Sequence, residues 1–125
     1  MDKLDQIFEK RRAYMAALRS RVPDAYPEGN IDLSTRKSQQ LCRDMALRGV
    51  EEVFEALGHL KNWKPHRQTE VVADFNRDEF KEEMVDAVNY FLSLMIMIGV
   101  DSDELFAAYD KKDKIIHERL KTGYL

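Results

Sequence analysis

All three prolines of this chain, Pro23, Pro27 and Pro65, lie outside its long periodic apolar stretches, and of the five glycines only Gly49 and Gly58 fall inside them. Proline removes a backbone donor and clashes within a helix, and an interior glycine costs about 1 kcal/mol. A chain that keeps both out of its periodic segments is built for long helices joined by loops. The fold class is therefore read as all-α.

The first stretch, about Lys3 to Arg21, carries Leu4, Ile7, Phe8, Tyr14, Met15 and Leu18 at three- and four-residue steps and stops before Pro23. Pro23, Pro27, Gly29 and Asn30 mark residues 22–33 as a loop. Ser34 is placed to cap a second helix to about Lys61, whose apolar stripe is Leu47, Val50, Phe54 and Leu57. A long loop at 62–75 follows, with Trp63, Lys64, Pro65 and His66; such a length suits a binding loop or a disordered segment. Asn76 with Glu79, and Asp101 with Glu104, resemble capping boxes. They open a third helix ending near Gly99 and a fourth ending at about Lys121. Such a series predicts a four- to five-helix bundle, in one domain spanning 1–125.

Charge narrows the function. The chain has 125 residues, 23 Asp plus Glu and 20 Lys plus Arg, for a net charge of -3, so no basic surplus attracts a nucleic-acid polymer or a membrane surface. Cys42 is the only cysteine, which excludes an intrachain disulfide and a cysteine-based zinc cluster and fits a reducing compartment. The start, Met1 to Asp5, has no apolar leader core, and the longest apolar run, Leu94 to Val100, is far short of the ~20 residues of a membrane span. A cytoplasmic protein is expected.

Acidic residues gather in two places. The second helix holds Glu51, Glu52 and Glu55, and the third holds Glu79, Glu82, Glu83 and Asp86, so each presents carboxylates one turn apart. A solvated acidic face is the ordinary meaning of such a stripe. On the third helix, however, the stripe continues into Tyr90, Leu94 and Met97, while Phe80, Met84, Val88, Phe91 and Met95 lie opposite. A half-helix that is apolar all round is expected to be buried on every side, placing the acids at the mouth of a crevice or interface. Carboxylates crowded there repel one another unless a hard cation neutralises them, and oxygen-only ligands select Mg²⁺ or, as a substitute, Mn²⁺. A di-iron centre would need Glu-x-x-His, and no glutamate has a histidine three residues on. A glycosidase would want several aromatic platforms, and the chain has one tryptophan.

The pattern Glu51-Glu52-x-x-Glu55, a gap over residues 56–82, then Glu83-x-x-Asp86 resembles the signature of the all-α nucleoside triphosphate pyrophosphohydrolases, the superfamily of MazG and the dimeric dUTPases. The segment from Leu105 to Lys112, followed by Arg119, Gly123 and Tyr124, is similar to the closing motif of the dUTPase-like branch, and Asn89 also fits that branch. The likeness covers about residues 40–125. Asp113 and Ile116 stand where that branch has asparagines, so the base could be uracil, cytosine or a purine, as in dUTP, dCTP or dGTP.

The resemblance implies that Glu52, Glu55, Glu83 and Asp86 hold Mg²⁺, that Glu55 or Glu51 orients a metal-activated water, and that this water attacks the α-phosphorus to release monophosphate and pyrophosphate. Lys112 and Arg119, seven residues apart on one helical face, would reach phosphate oxygens, with Lys111 a weaker candidate. Trp63 would stack on a base or anchor the core, Lys64 would touch a phosphate, and Asn89 would bond a sugar or base edge. His59, four residues after Glu55, is either an outer support of the acids or an ordinary surface histidine. Met84, Met95 and Met97 are read as packing. The apolar third helix predicts a homodimer or tetramer. A non-catalytic helical interaction module is the competing reading.

Overall fold

The computed structural model describes residues 1–60, 66 and 75–123. Its elements are α1 (Lys3–Arg21), α2 (Arg36–Leu57), α3 (Arg77–Met97) and α4 (Ser102–Thr122), with no strand among the described residues. The expected all-α class is observed.

Each helix starts on a side chain that accepts the backbone N–H three residues on: Asp2 from Asp5 at 2.9 Å, Thr35 from Ser38 at 3.2 Å, Asn76 from Glu79 at 3.1 Å and Asp101 from Glu104 at 2.8 Å. Each such bond satisfies one of the donors a helix start leaves orphaned, for roughly 1 kcal/mol. The second of these corrects the sequence reading. Thr35, not Ser34, caps α2, because Ser34 Oγ instead donates to Asp32 at 2.8 Å within the preceding turn. The end of α2 also moves: it stops at Leu57, since Gly58 takes the cap position and its N–H goes to Phe54 and Glu55 carbonyls. Lys61 lies outside the described residues, as does most of the expected loop.

The chain forms two compact units. The first joins Met1–Asn30 to Met95–Leu125. Within it Phe8, Met15, Tyr26 and Met97 are buried, Arg11 donates to Tyr26 Oη at 3.0 Å, and Ser102 Oγ donates to Asp5 Oδ1. The corner before α4 turns on Gly99, at φ +84°, where an added Cβ would come within 2.8 Å of Asn30 Nδ2. That position needs glycine for both its backbone and its neighbour.

The second unit, Ile31–Leu94, contains α2 and most of α3. Its buried positions include Met45, Gly49, Ala56, Ala87, Leu92 and Ser93. Several of these are small, and small residues let helices approach closely. At Gly49 a Cβ would meet Phe91 Cζ at 2.9 Å, which explains a glycine in mid-helix. The expected stripe on α2 is not in the core: Leu47, Val50, Phe54 and Leu57 are 52%, 40%, 66% and 47% exposed in the single chain. Nor is the second half of α3 buried on every side, since Val88 and Phe91 are also exposed while Leu92, Ser93 and Met97 are covered. Two helices can hide only the faces they turn to each other, so the most apolar faces remain bare. No helix among the described residues is by itself long and apolar enough to cross a membrane.

Candidate functional site

The second unit brings together the two acidic motifs. Glu52 and Glu55 stand one turn apart on α2, Glu83 stands on α3, and one carboxylate oxygen from each lies within 4.8 Å of the others. Glu52 and Glu83 are half-buried and Glu55 is exposed. Burial raises the Glu52 carboxyl above its ordinary value of 4.5, and a hydrogen bond with Glu55 and the charges of Glu55, Asp86 and Glu83 push it the same way. Asp86, one turn beyond Glu83, is thus near enough to act on Glu52. Glu51 is exposed and stands outside the group of three.

His59 borders these acids. Gly58 ends α2, and the next turn is held by His59 N–H to Ala56 O at 3.1 Å and Leu60 N–H to Leu57 O at 3.0 Å. The imidazole then sits between two carboxylates of α3, with Nδ1 3.8 Å from Glu79 Oε2 and Nε2 3.9 Å from Glu83 Oε1. Sequence reasoning saw His59 through its spacing from Glu55 but missed Glu79 as its neighbour. The signal was available, because Glu79 and Glu83 are four apart and so stack on one face, where a single side chain can touch both.

The other expected residues fall in different places. Asn89 is half-buried on α3, three residues past Asp86. Lys112 and Arg119 are exposed on α4, in the first unit. Trp63 and Lys64 lie outside the described residues. The first unit has its own cavity of about 310 Å³, lined by Arg12, Arg19 and Asn30 among others, and none of the expected site residues lines it. Cys42, on α2, is half-buried, and burial pushes its thiol above the usual range.

A family model described as dUTPase matches residues 30–124. The chain belongs to the dUTPase family. No match was found among the curated proteins or among the solved structures. The match spans α2, α3 and α4, hence every acid of the cluster, and begins after α1. Membership in the dUTPase family implies a hydrolase acting on nucleoside triphosphates with a divalent metal. The residues present fit such a metal: the donors are all carboxylate oxygens, they converge from two helices, and every group acting on Glu52 disfavours its charge. A cation at that point would relieve the repulsion, and hard divalent ions prefer this donor set.

Proposed function

We propose that this dUTPase-family chain, working as one domain over residues 1–125 in the cytoplasm, is a Mg²⁺-dependent nucleoside triphosphate pyrophosphohydrolase. It converts a deoxynucleoside triphosphate, dUTP first among them, to the monophosphate and pyrophosphate. The reading is carried by the convergence of Glu52, Glu55 and Glu83 within 4.8 Å, from two helices inside the family match.

In this reading Glu52, Glu55, Glu83 and Asp86 hold the cation. When bound, it offsets the charge of the triphosphate and makes water more acidic. Glu55, or Glu51 beside it, orients the attacking water. Asn89 bonds the sugar or base edge, Lys112 and Arg119 bring positive charge to phosphate oxygens, and Trp63 and Lys64 add base stacking and a phosphate contact. The protein's contribution is chiefly to hold the reacting groups in place.

Incubation with each canonical deoxynucleoside and ribonucleoside triphosphate and dUTP, with Mg²⁺, tests this directly. Monophosphate and pyrophosphate are the expected products. Orthophosphate and diphosphate would contradict cleavage between the α and β phosphorus, and no turnover of any nucleotide would leave a non-catalytic helical module. The same panel reads out the base. Asp113 and Ile116, both exposed on α4, stand where the dUTPase-like branch has asparagines, so the same chemistry on dCTP or a purine such as dGTP is the second reading. The bare faces of α2 and α3, with Phe54 and Val85 more than half exposed, support a homodimer or tetramer.

A further inference from the structure

We propose that the cavity of the first unit binds a small phosphate monoester with an apolar body, at a site separate from the acidic cluster. Its volume of about 310 Å³ lies at the lower end of the roughly 300–1,000 Å³ of small-ligand pockets. All its lining residues belong to the first unit, and those up to Gly29 precede the residues that the family model matches. The proposal therefore does not depend on the nucleotide chemistry of the second unit.

One wall is a face of α1. Arg12, Met15, Ala16 and Arg19 follow one another at helical steps, so the two arginines, two turns apart, flank an apolar strip. Buried Met97, with half-buried Ile96 and Val100, extends that lining from the corner between α3 and α4. The walls are held before any ligand arrives: Arg19 Nη1 donates to the Pro27 carbonyl at 3.1 Å, Arg11 donates to Tyr26 Oη at 3.0 Å, and the Arg12 guanidinium lies over the Phe8 ring, 5.4 Å from its centre.

Charge decides what the cavity takes. Lys81, Lys114 and Lys121 each meet a carboxylate at 3.1–3.3 Å. Among the described residues neither Arg12 nor Arg19 has a carboxylate within ion-pair range, in a chain that carries 23 acids. Arg19 uses one N–H on Pro27, and a guanidinium has five. Asn30, whose amide lies where Gly99 leaves room for it, adds a neutral donor. Three donor groups suit the three terminal oxygens of a phosphate monoester better than the two of a carboxylate, and the apolar strip suits a ring-sized body.

The test uses the full, metal-free chain with phenyl phosphate as the probe, followed by backbone amide NMR and calorimetry. Saturable shifts are expected at Gly29, Gly99 and Val100, and none at Glu52 and Glu55, whose bare carboxylates repel the probe. Inorganic phosphate, which lacks the body, and phenol, which lacks the charge, should each bind at least about tenfold more weakly. Arg12→Gln and Arg19→Gln should each weaken phenyl phosphate about 10- to 100-fold, the worth of one hydrogen bond to a charged group. Ala16→Leu, at an exposed helical position, should fill the cavity and abolish binding with Tm unchanged and both arginines in place. Equal affinity of wild type and Ala16→Leu, inorganic phosphate bound as tightly as the probe, or no saturable shift at Gly29 and Gly99 would each overturn the site. Benzoate bound as tightly as phenyl phosphate would overturn the choice of phosphate. Triphosphate turnover reports separately on the second unit, so either reading can fail without the other.

Discussion

The ring of Phe91 occupies the space that a side chain on Gly49 would need, with Phe91 Cζ 2.9 Å from the position of a Cβ. The pair sets how closely α2 and α3 approach, in the unit that also carries the acids. Gly49→Ala adds about 1 kcal/mol of helix propensity but overpacks the contact at a cost of roughly 1–3 kcal/mol. Net destabilisation of about 1 kcal/mol is expected in urea unfolding. Pairing Gly49→Ala with Phe91→Ala should show non-additivity above about 0.5 kcal/mol, because the two residues share one space.

Asp5 uses its two carboxylate oxygens separately: Oδ1 takes the Ser102 hydroxyl, and Oδ2 accepts the Asp2 N–H at 3.4 Å. The Ser102 bond is the main reason its carboxyl is held below the ordinary 3.8. A carboxyl lowered in the folded state stabilises the fold above its unfolded value, and that contribution is lost as pH falls through the folded one. Ser102→Ala should therefore bring the Asp5 titration, followed by NMR, up toward 3.8 and start acid unfolding at a higher pH.

Glu52 has the opposite sign. Its carboxyl is raised in the folded protein, so the metal-free fold loses stability as pH rises from the ordinary 4.5 through the raised value. Mg²⁺ should reverse the loss, and its stabilising effect should grow with pH because binding needs the ionised acid. At a concentration 100 times its Kd the ion would contribute about 2.7 kcal/mol. Glu52→Gln should raise the Tm of the metal-free protein near neutral pH and abolish the Mg²⁺-dependent increase. Calorimetry with Mg²⁺ or with chelator would show otherwise if the acids are only a solvated face.

Glu55→Ala and Asp86→Ala should each lower kcat/KM for the preferred triphosphate by at least about 100-fold, the scale of losing a group that holds the reacting atoms in place, while circular dichroism stays nearly unchanged. Both residues are exposed, so their removal leaves no cavity. Wild-type rates in either variant would remove that residue from the site.

Phe54→Asp, at a position 66% exposed in the single chain, tests the bare face of α2. Sedimentation should show an oligomer for wild type and a smaller species for the variant. A substitution on a face that stays in water would change neither mass nor stability by more than about 0.5 kcal/mol.

How much of this was legible in the sequence depends on what decided each feature. The limits of α1 at Lys3 and Arg21 follow from local chemistry, with Asp2 to cap and Pro23 to stop, and the start of α4 follows from Asp101. The meeting of Glu52, Glu55 and Glu83 was legible as two motifs whose spacing suits adjacent helices. The choice of Thr35 over Ser34 was not, because both can cap and only the Asp32 turn separates them. The buried side of α2 was not legible either. Apolar patterning points to Leu47, Val50, Phe54 and Leu57, but close approach to Phe91 needs Gly49, and a hydropathy pattern gives glycine no weight.

Cys42 turns one of these features into a clock. It is the only thiol in the chain, it sits half-buried on α2, and burial disfavours the thiolate that reagents attack. Modification therefore speeds up whenever that part of α2 opens further to solvent. A mass spectrum taken at intervals counts the modified molecules one chain at a time. Slower counting with Mg²⁺ than without it would tie the opening of the helix to the acids ten and thirteen residues further along it.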